Sequence, residues 1–140
     1  MEDAVPTGFK LVSLGAAFMS QFGPLYLCSE TSTLAFRVAP NHLNPVDMCH
    51  GGAMATFADL QVIAIRPGAD RADQHSPTIS LSVDYLAPAR LGAWVEADVT
   101  LVKSTRTMIF TQALIAVDGN IVARSSAIYR KYGDLCLPVV

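Results

Sequence analysis

One run of residues constrains this chain more than any other. From Ala53 to Ile65 it reads AMATFADLQVIAI, thirteen residues without proline and rich in Ala, Met and Leu, which predicts a helix. The run is apolar or small on almost every face. Such a helix must be enclosed by other structure, because one lying half in water keeps a polar side. Thirteen residues are also too few to cross a bilayer. The rest of the chain therefore has to wrap this helix.

One charge interrupts the run. Asp59 is the only ionisable side chain between His50 and Arg66, and burying a carboxylate without a partner shifts its pKa or weakens the fold. Either Asp59 meets an Arg from elsewhere or lies on an exposed sliver of the helix, or it is a catalytic carboxylate at the wall of a pocket. The residues ahead of the helix favour the last reading. Gly51 and Gly52 leave backbone N–H groups uncovered where the helix begins. Those donors, with the positive end of the helix dipole, can receive a carbonyl oxygen or an anion. Glycine also lets a ligand approach the backbone closely. His50 either bonds its own loop or serves the site, and Cys49 beside it reads as a buried, inert thiol.

With 140 residues the chain is expected to form one domain, 1–140, with a loose leader over residues 1–7. Its hydrophobic content of 51% is high for that size and predicts surface buried between subunits. A net charge of −2 without a basic stretch argues against nucleic acid. No helix carries a lysine-rich face for a membrane surface. The opening MEDAVPTGFK is acidic and polar, unlike a secretory signal. Cys28, Cys49 and Cys136 lie far apart, with neither metal-ligand spacing nor an even count for disulfides. Reduced thiols and a cytoplasmic location follow as expectations, with no metal.

Around the central run the pattern is mostly β. Gly8 to Gln21 predicts a short helix or turn. Leu25–Ser29 and Thr33–Val38 read as strands joined by a polar turn. Arg66 to Ser76 is a polar loop, either a mobile connection or a lid. Thr78–Leu86, Trp94–Val102, Thr107–Val117 and Ile121–Tyr132 read as four further strands, with Asp118-Gly119-Asn120 as a hairpin turn. In the last of them Val122, Ser126 and Ile128 are spaced for one face. An antiparallel sheet wrapped around one long helix, an α+β fold, satisfies this order.

NPVDMCHGGAMATFADL, followed by TISLSVDYLAPARLG and the closing strands, resembles the hotdog-fold acyl-CoA thioesterases. It is most similar to the phenylacetate-pathway and 4-hydroxybenzoyl-CoA types with an acidic residue on the central helix. The resemblance covers roughly residues 20–131 and implies roles residue by residue. Asp59 matches the carboxylate that acts as nucleophile or general base. Gly51 matches the residue whose backbone N–H polarises the thioester carbonyl. His50 and Asn44 match polar residues supporting that site, and Thr78 a hydroxyl that helps orient the attacking group. Where the family usually has a glycine, three residues before the His, this chain has Asp47.

Around that set Gly52, Met54, Phe57 and Tyr85 are candidates to contact substrate. Arg106 is the candidate to hold a phosphate of coenzyme A, which arrives as part of the substrate and not as a cofactor. Arg90, Lys103, Arg130, Lys131, Asp84 and Asp98 read as solvated strand charges. Two rival functions remain at this point: a binding module for an acyl ligand or partner protein, without chemistry, and an enoyl-CoA hydratase. The second needs an Asp–His pair along the loop and helix, an arrangement that Asp47 and His50 do not make. Helix geometry adds an expectation of a homodimer, or a dimer of dimers. Gly51 and Asp59 are eight residues apart, about 12 Å along a helix, too far for one chain to serve both sides of one carbonyl.

Overall fold

The computed structural model describes residues 4–15, 17–66 and 75–131. Seven strands form one antiparallel sheet in the order β1-β2-β3-β5-β6-β7-β4. They are β1 (Lys10–Val12), β2 (Leu25–Cys28), β3 (Thr33–Arg37), β4 (Thr78–Tyr85), β5 (Trp94–Ser104), β6 (Met108–Val117) and β7 (Asn120–Arg130). The long strands follow alternation. In β5 the buried residues are Val95, Ala97, Val99 and, at its end, Ser104, with Asp98 and Thr100 exposed; in β6 they are Ile109, Thr111, Ala113 and Ile115. Asp118 and Gly119, both at positive φ, close the β6–β7 hairpin as expected from Asp118-Gly119-Asn120.

The helical run lies on the inner face. It begins at Gly51, earlier than its composition suggested, and it is not continuous. Helix α2 spans Gly51–Ala58 and α3 spans Gln61–Ile65, with Asp59 and Leu60 between them at ψ −1 and 8. Helix α3 packs on β3, β5 and β6, and α2 runs beside β4. Phe57 is fully buried with its ring 4.6 Å from that of Phe36, which also meets Phe22 at 4.9 Å. An apolar helix inside a sheet that is covered on one face is the α+β arrangement expected, the hotdog fold.

Two expectations change. The segment Gly8–Gln21 holds a strand, β1, before the short helix α1 (Met19–Phe22). Of the leader, residues 1–3 lie outside the described residues, and the Ala4 carbonyl accepts from an Arg37 guanidinium N–H at 2.7 Å. In β7 the inward residues are Ala123, Ser125, Ala127 and Tyr129, so Ser126 and Ile128 point the other way. Small and hydroxyl side chains fill the inner side there, and a register shift at Ile115/Ala116 displaces Val122, so hydropathy gave the wrong face. The polar loop after Arg66 falls largely outside the described residues, as does Cys136. No helix among the described residues is long and apolar enough to cross a membrane.

Candidate active site

The loop before α2 is organised by its own polar groups. The Asn44 carboxamide oxygen accepts from the N–H groups of Val46 and Met48, each at 3.0 Å, and the Asn44 N–H reaches the Met48 carbonyl at 2.7 Å. This tight turn puts Asp47 at φ 61, in the left-handed region. A glycine would adopt it freely; Asp is among the few other residues that tolerate it. Asp47 therefore keeps the backbone shape that the resemblance associates with glycine.

The turn delivers His50 to the N-terminus of α2. Its Nδ1 accepts from the Gly52 N–H at 2.8 Å, so this nitrogen carries no proton and the imidazole caps the helix. Gly52 is thereby satisfied, while the Gly51 N–H has no acceptor among the described residues. An unpaired donor at the positive end of a helix dipole suits a carbonyl oxygen gaining charge. Tyr85 from β4 lies over this end, its hydroxyl donating to the Gly51 carbonyl at 2.7 Å. Cys49 is half-buried and its thiol is pushed up to about 11 by burial, so it is not a thiolate at neutral pH.

At the other end of α2, half-buried Asp59 accepts from the Thr78 hydroxyl at 2.7 Å through Oδ1. Its Oδ2 has no hydrogen-bond partner among the described residues. Burial pushes the carboxyl up from its ordinary value; the Thr78 hydrogen bond and the charge of His75 pull the other way. The bland alternative, an Arg pairing with Asp59, does not occur among the described residues. β4 is thus fastened to α2 twice, at Thr78 to Asp59 and at Tyr85 to Gly51.

Other candidates fall elsewhere. Phe57 and Met54, expected on the pocket wall, belong to the core: Phe57 has no exposed surface and Met54 is 4% exposed. A helix apolar all round does not announce which side faces a ligand, which is why periodicity could not separate wall from core. A cleft of about 390 Å³ does open beside His50 and Gly52, walled by Phe18, Phe22, Ala53 and Thr56. A larger hollow of about 590 Å³ lies on the outer face of the sheet, around Asp98, Gln112 and Arg124, away from these groups. Arg106 is exposed in the β5–β6 turn, at the end of the sheet where β4 begins with Thr78.

Sequence reasoning passed over four residues here. His75 stands close enough to act on the Asp59 charge. His42 is buried, with Nδ1 accepting from Ala39 N–H at 2.9 Å and Nε2 2.6 Å from the Phe22 carbonyl. Gln61 and Tyr129 are buried at the helix break. A glutamine inside an otherwise apolar run was the one available signal among them.

The sequence signature of the Thioesterase superfamily matches residues 47–123, and the chain belongs to that family. It is, in class, a thioester hydrolase. A Pseudomonas aeruginosa protein with the provisional name esterase PA0474 is 25% identical over 128 residues, 89% of this chain and 96% of that one. Among solved structures, a mutant of phenylacetic acid degradation protein PaaI from Thermus thermophilus superposes with a TM-score of 0.62 at 22% identity, covering 89% of this chain and 94% of its own. The smu.793 protein of Streptococcus mutans UA159, bound to acetyl CoA, gives 0.65 at 19% identity and 94% coverage of both chains. These likenesses agree with the hotdog fold described above.

Proposed function

We propose that the protein hydrolyses an acyl thioester of coenzyme A, with Asp59 supplying the attack and the Gly51 N–H receiving the carbonyl oxygen. The observation that carries this reading is the Asp59–Thr78 pair, a half-buried carboxylate with one oxygen held by a hydroxyl and the other without a partner among the described residues. In a thioester hydrolase this group can take the proton of an attacking water, or attack the carbonyl itself to give a mixed anhydride that water then hydrolyses. The tetrahedral oxyanion forms against the Gly51 N–H and the α2 dipole; the C–S bond then breaks, and the thiolate leaves to be protonated as the coenzyme A thiol. Thr78 orients the carboxylate, and His50 and Asn44 shape the donor loop. The acetyl-CoA bound to the Streptococcus mutans protein of the same fold supports this choice of thioester. No resident cofactor enters the scheme.

The site is completed by a second copy of the chain. Gly51 and Asp59 touch opposite ends of β4, which is an edge strand of the sheet. Its Ile79 and Tyr85, with Leu86 beyond its end, are 50%, 57% and 58% exposed. A two-fold pairing of β4 with β4 runs the strands antiparallel, which sets the Thr78 end of one chain against the Tyr85 end of the other. The donor of one protomer then meets the carboxylate of its partner.

Subunit exchange tests both parts of the reading. Asp59→Asn alone should lower kcat by about 10²–10⁴ without loss of fold. Mixed with a chain inactivated at the Gly51 loop, it should recover about a quarter of wild-type activity, since half the dimers are mixed and each has one intact site. Verified exchange with no recovery would reject the shared site, and an active Asp59→Asn enzyme would reject the carboxylate.

A further inference from the structure

The helix carrying Asp59 breaks at that residue, and the break is held by Tyr129 from far away in the chain and by Gln61 just beyond it. In a continuous helix the Asp59 carbonyl would accept from the Ile63 N–H; here that N–H goes to the Leu60 carbonyl at 2.9 Å. The Leu60 N–H likewise turns to Phe57, at 3.0 Å, one residue short of helical spacing. The freed Asp59 carbonyl is taken by the Tyr129 hydroxyl at 2.8 Å, and the Ala58 carbonyl accepts from the Gln61 amide at 2.9 Å. Tyr129 and Gln61 are 1% and 0% exposed, so neither hydroxyl nor amide has water as an alternative.

Both caps are themselves held. The Gln61 amide also donates to Ser125 at 2.9 Å, and its carbonyl oxygen accepts from Thr111 at 2.8 Å. Ser125 in turn donates to the Ser82 carbonyl of β4 at 2.8 Å. Tyr129 stands directly opposite Thr78 in the β4–β7 ladder. One cross-strand pair therefore grips Asp59 at two points, Thr78 on the carboxylate and Tyr129 on the carbonyl. Tyr129 thus reaches the end of α2 from β7. Burial, and then the Asp59 charge, hold the phenol well above its ordinary range, so it remains an O–H donor throughout the working pH.

We infer that Tyr129 and Gln61 are positioning residues for Asp59: by capping the carbonyls of Asp59 and Ala58 they fix the helix break that turns the Asp59 carboxylate onto Thr78. This rests on the catalytic reading of Asp59 given above. Packing alone does not require either polar group. A phenylalanine and a methionine would fill the same volumes, and replacing buried polar groups by apolar ones of like shape is unfavourable chiefly where their partners stay behind unpaired. Here the partners that would stay behind are the two carbonyls of the break and, for Gln61, the hydroxyls of Ser125 and Thr111 as well.

The test measures thiol release from acyl-CoA by Tyr129→Phe and Gln61→Met, with Asp59→Asn as reference. Thr33→Val is the control, because it removes a hydroxyl that donates to Asp98 at 2.9 Å, far from the break. Misplacement of a reacting group by about 1 Å costs on the order of 10²-fold. Tyr129→Phe should lower kcat by about 10- to 100-fold with KM within about twofold, and Gln61→Met somewhat less. In both, the acid limb of kcat/KM should move to higher pH. A carboxylate that loosens from Thr78 loses the hydrogen bond offsetting its burial, leaving the His75 charge as the remaining stabiliser. Thr33→Val should lower thermal stability and leave kcat and the limb unchanged. Should one of the two positioning variants fail to fold, the other decides; failure of both shows a purely structural role and overturns the inference. Wild-type kcat and limb in Tyr129→Phe and Gln61→Met, beside an inactive Asp59→Asn, also overturn it while leaving the carboxylate its role. An active Asp59→Asn overturns the catalytic reading itself.

Discussion

The two ends of α2 are built in opposite ways. At the Gly51 end the shaping contacts are mostly local: Asn44 bonds residues two and four positions on, and His50 bonds Gly52. At the Asp59 end they come from across the fold. Thr78 is 19 residues away and Tyr129 is 70, while Thr111 and Ser125 hold Gln61 over separations of 50 and 64. The donor end resembles a motif that a short peptide could half-form, whereas the carboxylate end exists only once the sheet is complete. Damage to the first should stay local, and damage to the second should spread.

The sharpest way to break that contrast is Asn44→Ala. It removes the acceptor of two backbone N–H groups, and at about 1 kcal/mol per hydrogen bond the loss is about 2 kcal/mol. If the Gly51 end is self-contained, amide exchange should speed up for Val46, Met48 and the loop, while α3 keeps its protection up to the global limit. Equal loss of protection in α3 would show that the two ends open together and that the contrast is false.

The same contrast explains what the sequence disclosed. His50, Gly51 and Asp59 sit within ten residues, so their spacing could be read against helix geometry without knowing the fold, whereas Asn44 and Thr78 entered through the family resemblance. Strand alternation gave β5 and β6, where large apolar and polar residues take turns. It failed in β7, whose inner face is Ala123, Ser125, Ala127 and Tyr129; three of these carry too little hydropathy to mark a side. Tyr129 and Gln61 were missed because the groups they hold at the break are backbone carbonyls. A carbonyl is present at every residue, and only the break in the helix makes two of them available.

A smaller effect separates the two glycines. A Cβ at position 52 would lie 3.0 Å from His50 Nδ1 and 3.3 Å from Cε1, so Gly52→Ala pushes the ring off its cap. Loss of such a cap costs about 1 kcal/mol. A Cβ at position 51 meets the Tyr85 ring at 3.5 Å or beyond, an ordinary contact, so Gly51→Ala should cost less. Urea unfolding of the two variants checks the order. The reverse order would mean that Tyr85, and hence β4, organises this end in place of the local cap.

The smallest effect concerns Asp59 itself and has a definite sign. Burial raises its carboxyl pKa in the folded chain above the value in the unfolded one. The folded state therefore holds the proton more readily. The stability linked to that proton is fully present below the ordinary carboxylate range and is lost as pH rises through the raised value. At neutral pH the charged Asp59 thus weakens the fold that presents it. Asp59→Asn keeps an oxygen for the Thr78 hydroxyl and never ionises, so it should melt higher than the wild type at neutral pH, by on the order of a few °C. The gap should close as pH falls below about 4, where both Asp states are protonated. A calorimetric series from acid to neutral pH, alongside kcat/KM over the same range, tests this directly. Activity should fall with pH over the interval in which the wild type gains on the variant, because one ionisation governs both. A variant that melts lower at neutral pH would show that Thr78 and His75 outweigh burial, and that the carboxylate end of α2 carries its charge without strain.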